Sequence, residues 1–422
     1  MAGRFTRPRL VGATENGEIY DHPDLLMVCR RGDETALPGP EELMPLPEES
    51  ELFLLPGRRA LGLDPARGAL SETEDLAVAA FPAPGHTLTA HPEYARDADA
   101  PVLPLFAYGA VGFASGRLYV CARKVDDDPR QVFRGVDTEV LRRKALDLQN
   151  RYPRNRLLRR LTAVCALTYN CPAARNLCLG RYEAPLPVSD SCNARCVGCI
   201  SLQEGGESGC SAPQKRMTFT PDAGEIVEVM LHHASAETKA PIYSFGQGCE
   251  GEPLLRSALI ADAVRTFRAR GGRGTVNVNS NASLPDAVEE AAEAGITSLR
   301  VSLNSADPEA YARYYRPCGY GFGDVRAGIG RAKAAGLFVS LNLLFFPGFS
   351  DTEAEYAALA DLVRAERVDM LQLRNLNIDP DVYHELMGNA GRGPAMGFPA
   401  YRKRLKKECP GLRIGYFNPF LG

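Results

Sequence analysis

The 422-residue chain lacks several features that would settle its class at once. It has no excess of one charge. Its 49 Lys and Arg stand against 52 Asp and Glu, a formal charge of −3. Nothing global therefore draws it to nucleic acid or an anionic membrane, and such binding would need a local patch. It has no long apolar run either. The most apolar stretch, residues 336–349, contains Ser, Asn, Pro and Gly and falls short of the roughly 20 residues that span a bilayer. The opening MAGRFTRPRL has no apolar core of a secretory signal. These absences give a cytoplasmic protein as the expectation. Short internal repeats and long low-complexity tracts are also missing, so the chain reads as two or three ordinary domains of roughly 150 residues each.

What the chain does have is cysteine, twelve in all. In a reducing compartment that count argues against a disulfide framework and for metal or redox chemistry. Six cysteines crowd between Cys165 and Cys199, and Cys210 and Cys249 follow. Scattered buried thiols would not cluster in this way.

The texture changes along the chain. Residues 1–130 are short apolar runs broken by Pro and Gly, and Ala114-Ser115-Gly116 separates two of them as a hairpin would. This is the pattern of a small, mostly β accessory domain. Residues 131–180 turn helical and basic, with Arg151, Arg154, Arg156, Arg159 and Arg160 close together. They form a linker whose charges are either a solvated face or a patch for an anionic substrate or RNA. Residues 181–395 alternate strand and helix. Asp307-Pro308 marks one helix start, and Ser350-Asp351-Thr352-Glu353 has the spacing of a capping box. Six strand–helix units imply an α/β fold, a partial (β/α)6 TIM-type barrel with chemistry at the C-terminal strand ends. Residues 396–422 form a C-terminal helix and tail.

Three thiols follow the first barrel strand on one loop, Ser191-Cys192-Asn193-Ala194-Arg195-Cys196-Val197-Gly198-Cys199. The spacing C-x3-C-x2-C can hold three corners of an iron–sulfur cube and leaves one iron open to a small molecule. The competing reading is a zinc knuckle, but such sites usually pair two C-x2-C halves or add His, and no His stands near this loop.

This loop resembles the signature of the radical S-adenosylmethionine (SAM) superfamily, and further motifs follow in the order that family has them. Phe245-Gly246-Gln247-Gly248-Cys249-Glu250-Gly251-Glu252-Pro253, ending the second strand, resembles its GGEP motif with Glu250 in place of the first glycine. By that resemblance, backbone around Gly251, Glu252 and Pro253 receives the SAM amino group. Ser302 and Asn304 resemble the family's polar pair for the SAM ribose and carboxylate, and Asn279 its ribose contact at the third strand end. Arg313 matches the offset of a carboxylate-binding arginine, with Arg316 as competitor. Pro347-Gly348 resembles a loop near adenine. The family's usual aromatic before the third cysteine is replaced by Gly198, which points to Ile200 or Leu344 for adenine packing.

The resemblance covers residues 180–380. It implies a [4Fe–4S] cluster on Cys192, Cys196 and Cys199, with SAM on the open iron and a one-electron donor such as flavodoxin or ferredoxin. It implies reductive cleavage of SAM to a 5′-deoxyadenosyl radical that abstracts hydrogen from a peptide, RNA or small-molecule substrate. Anaerobic oxidoreductase chemistry is the corresponding expectation. Cys249, in the SAM loop, is a candidate hydrogen donor to the substrate radical or ligand of a second metal, or else a packed thiol. Cys165, Cys171, Cys178 and Cys210 are candidates for an auxiliary iron–sulfur cluster, or small buried side chains. The alternative function is a non-catalytic iron–sulfur redox or sensing protein on the same scaffold.

Overall fold

The computed structural model describes residues 5–203, 209–388 and 393–422. Its centre is a parallel sheet of seven strands that stand side by side in chain order. They are β1 Glu183–Leu186, β2 Ile242–Phe245, β3 Thr275–Ser280, β4 Ser298–Leu303, β5 Phe338–Phe345, β6 Met370–Asn375 and β7 Arg413–Gly415. The first six are those read from the sequence. A seventh, added by the tail, pairs Arg413 with Met370 beside those six; its three residues are too few to show strand periodicity.

The crossover helices are α1 Ala223–Ala236, α2 Ser257–Ala269, α3 Pro285–Glu293, α4 Pro308–Tyr315, α5 Phe322–Ala334, α6 Glu353–Ala365, α7 Pro380–Met387 and α8 Phe398–Glu408. Helix α4 starts as its sequence requires, with the Asp307 side chain accepting the Ala310 amide at 2.8 Å. The capping box at residues 350–353 does not form. Thr352 holds the N-cap position of α6, while the Ser350 hydroxyl accepts the Phe346 amide at 3.0 Å and tightens the preceding turn.

Along β4 the alternation of a strand decides what each side chain does. Leu299, Val301 and Leu303 are fully buried, whereas Arg300 and Ser302 face a cavity inside the barrel. The floor below is polar and carries a network of hydrogen bonds. Ser298 donates to Asn277 at 2.9 Å, Asn277 to Ser244 at 3.3 Å, and Asn418 of the tail to Glu183 at 2.9 Å. Burial opposes ionisation of Glu183, but Arg130, Ser244 and Asn418 outweigh it and hold the carboxyl below its usual range. The tail thus closes the bottom of the barrel.

The N-terminal region is a nine-stranded antiparallel sheet, with the hairpin at Ser115-Gly116 formed in register. It is fastened to the end of β6. Arg58, fully buried, pairs with Asp379 at 2.7 Å, and Arg30 pairs with Asp381 at 2.7 Å. The Leu88 amide donates to Asn375 at 2.8 Å. Removing one partner of a buried pair costs about 3–5 kcal/mol, so either region depends on the other for stability at this contact. In the linker, Arg156 pairs with Glu225 at 2.8 Å and Arg160 reaches the Lys215 carbonyl at 2.9 Å. Part of the basic run therefore ties linker to barrel.

Candidate active site

The loop after β1 is sewn to the loop after β2. Gly251 donates to the Ser189 carbonyl at 2.8 Å and Glu252 to the Ser191 carbonyl at 2.9 Å. A Cβ on Gly251 would collide with the Ser191 carbonyl, so only glycine permits this approach. Glu250 is buried beneath, and its carboxylate accepts the amides of Val188 at 2.6 Å, Ser189 at 2.8 Å and Gln247 at 2.7 Å. Glu250, in place of the motif's first glycine, is therefore a brace for the cysteine loop, which sequence reasoning did not find. The far side of that loop hangs on the end of α4, where Val197 and Arg195 donate to the carbonyls of Tyr314 and Tyr315, each at 3.0 Å.

Cys192, Cys196 and Cys199 border a cavity of about 280 Å³ that Gly251, Glu252 and Pro253 also line. Burial pushes the Cys192 thiol up to about 11 and Cys196 well above its ordinary value. Burial acts on Cys199 too, but the Ser201 amide and hydroxyl, the Leu202 amide and Arg216 outweigh it and bring that thiol down. Arg216 stands 3.4 Å from the Cys199 sulfur. Buried thiols with no fourth side-chain ligand in the loop suit a group that carries its own positive charge and keeps one position open. Among the described residues no three His, Cys, Asp or Glu side chains gather closely enough to hold a single ion. The thiolates of a cubane bind different irons and need no such convergence.

The Glu252 carboxylate turns away to accept the Ser280 hydroxyl at 2.6 Å and the Asn281 amide at 2.9 Å, tying the β2 loop to the end of β3. Asn279 lines the cavity and donates to the Gly246 carbonyl at 2.9 Å. Gly246 has φ +78, and a Cβ there would strike the Asn279 carbonyl. Ser302, Ile200 and Leu344 also line the cavity.

Four of the places named from the sequence lie outside the cavity wall. Asn304 lies past the end of β4, where the two-residue alternation stops; its amide donates to Ala310 and to the Tyr383 hydroxyl, each at 3.3 Å, and it is not in the cavity wall. Arg313 points outward, paired with Glu309 at 2.5 Å and bonded to the Met387 carbonyl at 3.1 Å. Cys249 is buried against Cys165 behind the loop instead of facing the cavity. Gly348 packs against Gly32 of the accessory domain, so Pro347-Gly348 is an interface turn. Arg316 borders the outer rim of the cysteine loop beside Cys318. Arg300, Arg216, Asn342, Tyr314 and Tyr315 line the cavity and were not singled out from sequence. For Arg300 a signal existed, since it precedes Ser302 by two on the same strand.

Residues 186–360 match the family model described as the Radical SAM superfamily. The GTP 3',8-cyclase of Rhizobium etli is 29% identical over 181 residues, covering 42% of this chain and 46% of that protein. The GTP 3',8-cyclase of Pseudomonas savastanoi is 28% identical over 263 residues, covering 56% and 70%. The chain thus spans between about half and about two thirds of the length of these relatives. Among solved structures, Streptococcus suis SuiB bound to S-adenosylmethionine aligns with TM-score 0.39 and 12% identity, covering 56% of this chain and 50% of that one. The hydrogenase maturase HydG of Carboxydothermus hydrogenoformans gives TM-score 0.39 and 14% identity, covering 65% and 70%. The family match lies on the cysteine loop and the strands that wall its cavity, so residues 186–360 resemble a radical SAM domain. No helix among the described residues is long and apolar enough to cross a membrane.

Proposed function

We propose that this chain reductively cleaves SAM at a [4Fe–4S] cluster held by Cys192, Cys196 and Cys199 and uses the product to abstract hydrogen from a substrate. The observation that carries this reading is one cavity bordered by three cysteines, the Gly251–Pro253 backbone, Asn279 and Ser302 together. When bound, cluster and SAM supply the one-electron cleavage of a C–S bond that yields a 5′-deoxyadenosyl radical.

The chain's own residues position and shield. Glu250 and Gly251 fix the cysteine loop against β2, and Glu252 fixes the β2 loop against β3. The open backbone at Gly251 suits the SAM amino group, and Asn279 and Ser302 suit its ribose hydroxyls. Arg216, already beside Cys199, takes over the carboxylate role first given to Arg313, since a guanidinium matches a carboxylate. Tyr314, Tyr315, Ile200 and Leu344 exclude water from the cavity.

The electron would come from a small carrier such as flavodoxin or ferredoxin. The test is anaerobic incubation of reconstituted, chemically reduced protein with SAM. Appearance of 5′-deoxyadenosine and methionine supports the reading. A reducible cluster with no SAM cleavage under any condition, with or without candidate substrates, would leave a non-catalytic redox protein.

A further inference from the structure

Arg300 is the group in the barrel that the proposed cofactors leave unused. It sits on β4 two residues before Ser302, which places it on the same face and roughly 6.6 Å deeper in the barrel. It lines the cavity. Its Nε is buried without a hydrogen-bond partner, and no carboxylate among the described residues lies within ion-pair distance of it. The nearest acid, Glu183, is committed to Arg130, Ser244 and Asn418. Arg374, on β6, adds a second positive charge, held against Tyr416 by a 3.1 Å bond to its carbonyl and a ring contact of 4.5 Å. Burial and this neighbour push the Arg300 guanidinium down to about 9. Beside it, Asn342 pairs in register with Ser302 and leaves a buried side-chain oxygen without a partner.

A half-buried cation with a buried Nε unpartnered and no ion pair is costly, and a protein that needed only packing would carry an apolar residue there. The guanidinium fork is shaped for two oxygens of one oxoanion, and Asn342 supplies an acceptor for a hydroxyl or amine on the same molecule. The cation proposed for SAM's carboxylate is a different one, Arg216 at the cluster end of the cavity, 3.4 Å from the Cys199 sulfur. Resting on the reading that SAM occupies the upper cavity, we propose that Arg300 is the receptor for a carboxylate or phosphate group carried by the substrate, with Asn342 orienting the rest of that molecule.

The test uses the anaerobically reconstituted full chain, as wild type, Arg300→Met and Arg300→Lys, with SAM binding measured on each sample. Each is titrated with potassium phosphate or potassium acetate, ionic strength being held constant with potassium chloride, and followed by thermal unfolding. A ligand of the folded state raises the midpoint with its concentration. The expected result is a saturable rise in the SAM-bound wild type. Arg300→Met should require at least about tenfold more anion, the loss typical of one charged hydrogen bond, and Arg300→Lys should fall between. A rise with phosphate alone selects a phosphorylated substrate, with acetate alone a carboxylate, and with both a site for either. An equal rise in chloride, or an undiminished one in Arg300→Met, overturns the proposal. So does a rise seen only without SAM, which would make Arg300 the receptor for SAM's own carboxylate. Failure of the wild type to bind SAM at all would instead count against the cofactor reading.

Discussion

The hydroxyl of Tyr314 lies 2.5 Å from where a Cβ on Gly198 would stand. Tyr314, at the end of α4, thus fills the space that a side chain at position 198 would enter. An aromatic ring at 198 and Tyr314 cannot coexist. Gly198→Phe is predicted to destabilise the barrel by about 1–3 kcal/mol, the range for overpacking. Tyr314→Ala in the same chain should recover part of that loss, because residues in contact couple. Unfolding midpoints of the two single variants and the double variant check this, and strictly additive losses would contradict it.

Glu250 braces the cysteine loop through three backbone amides, so Glu250→Gln leaves at least one donor unpaired at a cost of about 1–3 kcal/mol. Its titration adds a pH signature. Burial, opposed by those amides, raises this carboxyl from 4.5 to about 7. The folded chain then holds the proton more tightly than the unfolded chain. The stability linked to it is complete below about pH 4.5 and is lost as pH rises through about 7. The advantage of wild type over Glu250→Gln should therefore shrink from about pH 5 to about pH 8. Parallel stability curves for the two proteins would show that this carboxyl does not titrate in that range.

Arg313 and Arg216 separate two accounts of the SAM carboxylate. Arg313→Ala should leave SAM affinity unchanged, since that side chain is engaged outside the cavity by Glu309 and Met387. Arg216→Ala should weaken SAM binding by about ten- to a hundred-fold, the equivalent of about 1.5–3 kcal/mol. Equilibrium binding to the reconstituted variants decides, and the reverse order would restore the assignment made from spacing alone.

Spacing explains both what the sequence made legible and what it hid. Cys192, Cys196 and Cys199 were readable because three thiols on one short loop have few other uses. Ser302 and Asn279 were readable because strand alternation carries a side chain to a known face. The same rule misplaced Asn304 once β4 had ended at Leu303. Arg313 failed because an offset along a helix does not say which way its face turns. Glu250 and the Arg58–Asp379 pair were invisible, since each depends on residues far apart in the chain meeting in the fold. The tail strand at 413–415 was lost to its brevity.

The remaining thiols give a prediction about metal content. Cys165 and Cys249 hydrogen-bond to one another in the core, with Cys171 close by, while Cys178 packs in the same apolar cluster. This arrangement leads us to expect that they pack without iron. Protein with Cys192, Cys196 and Cys199 all changed to Ala should be iron-free after anaerobic reconstitution. Iron retained by that variant would assign an auxiliary cluster to Cys165, Cys171 and Cys249.

The central claim is that the cysteine loop holds one cubane cluster, and iron and sulfide analysis of the reconstituted wild type tests it most directly. The account predicts about four irons and about four sulfides per chain, with visible iron–sulfur absorbance that disappears when the three loop cysteines are replaced. Stoichiometric zinc, with no such absorbance after reconstitution, would contradict it.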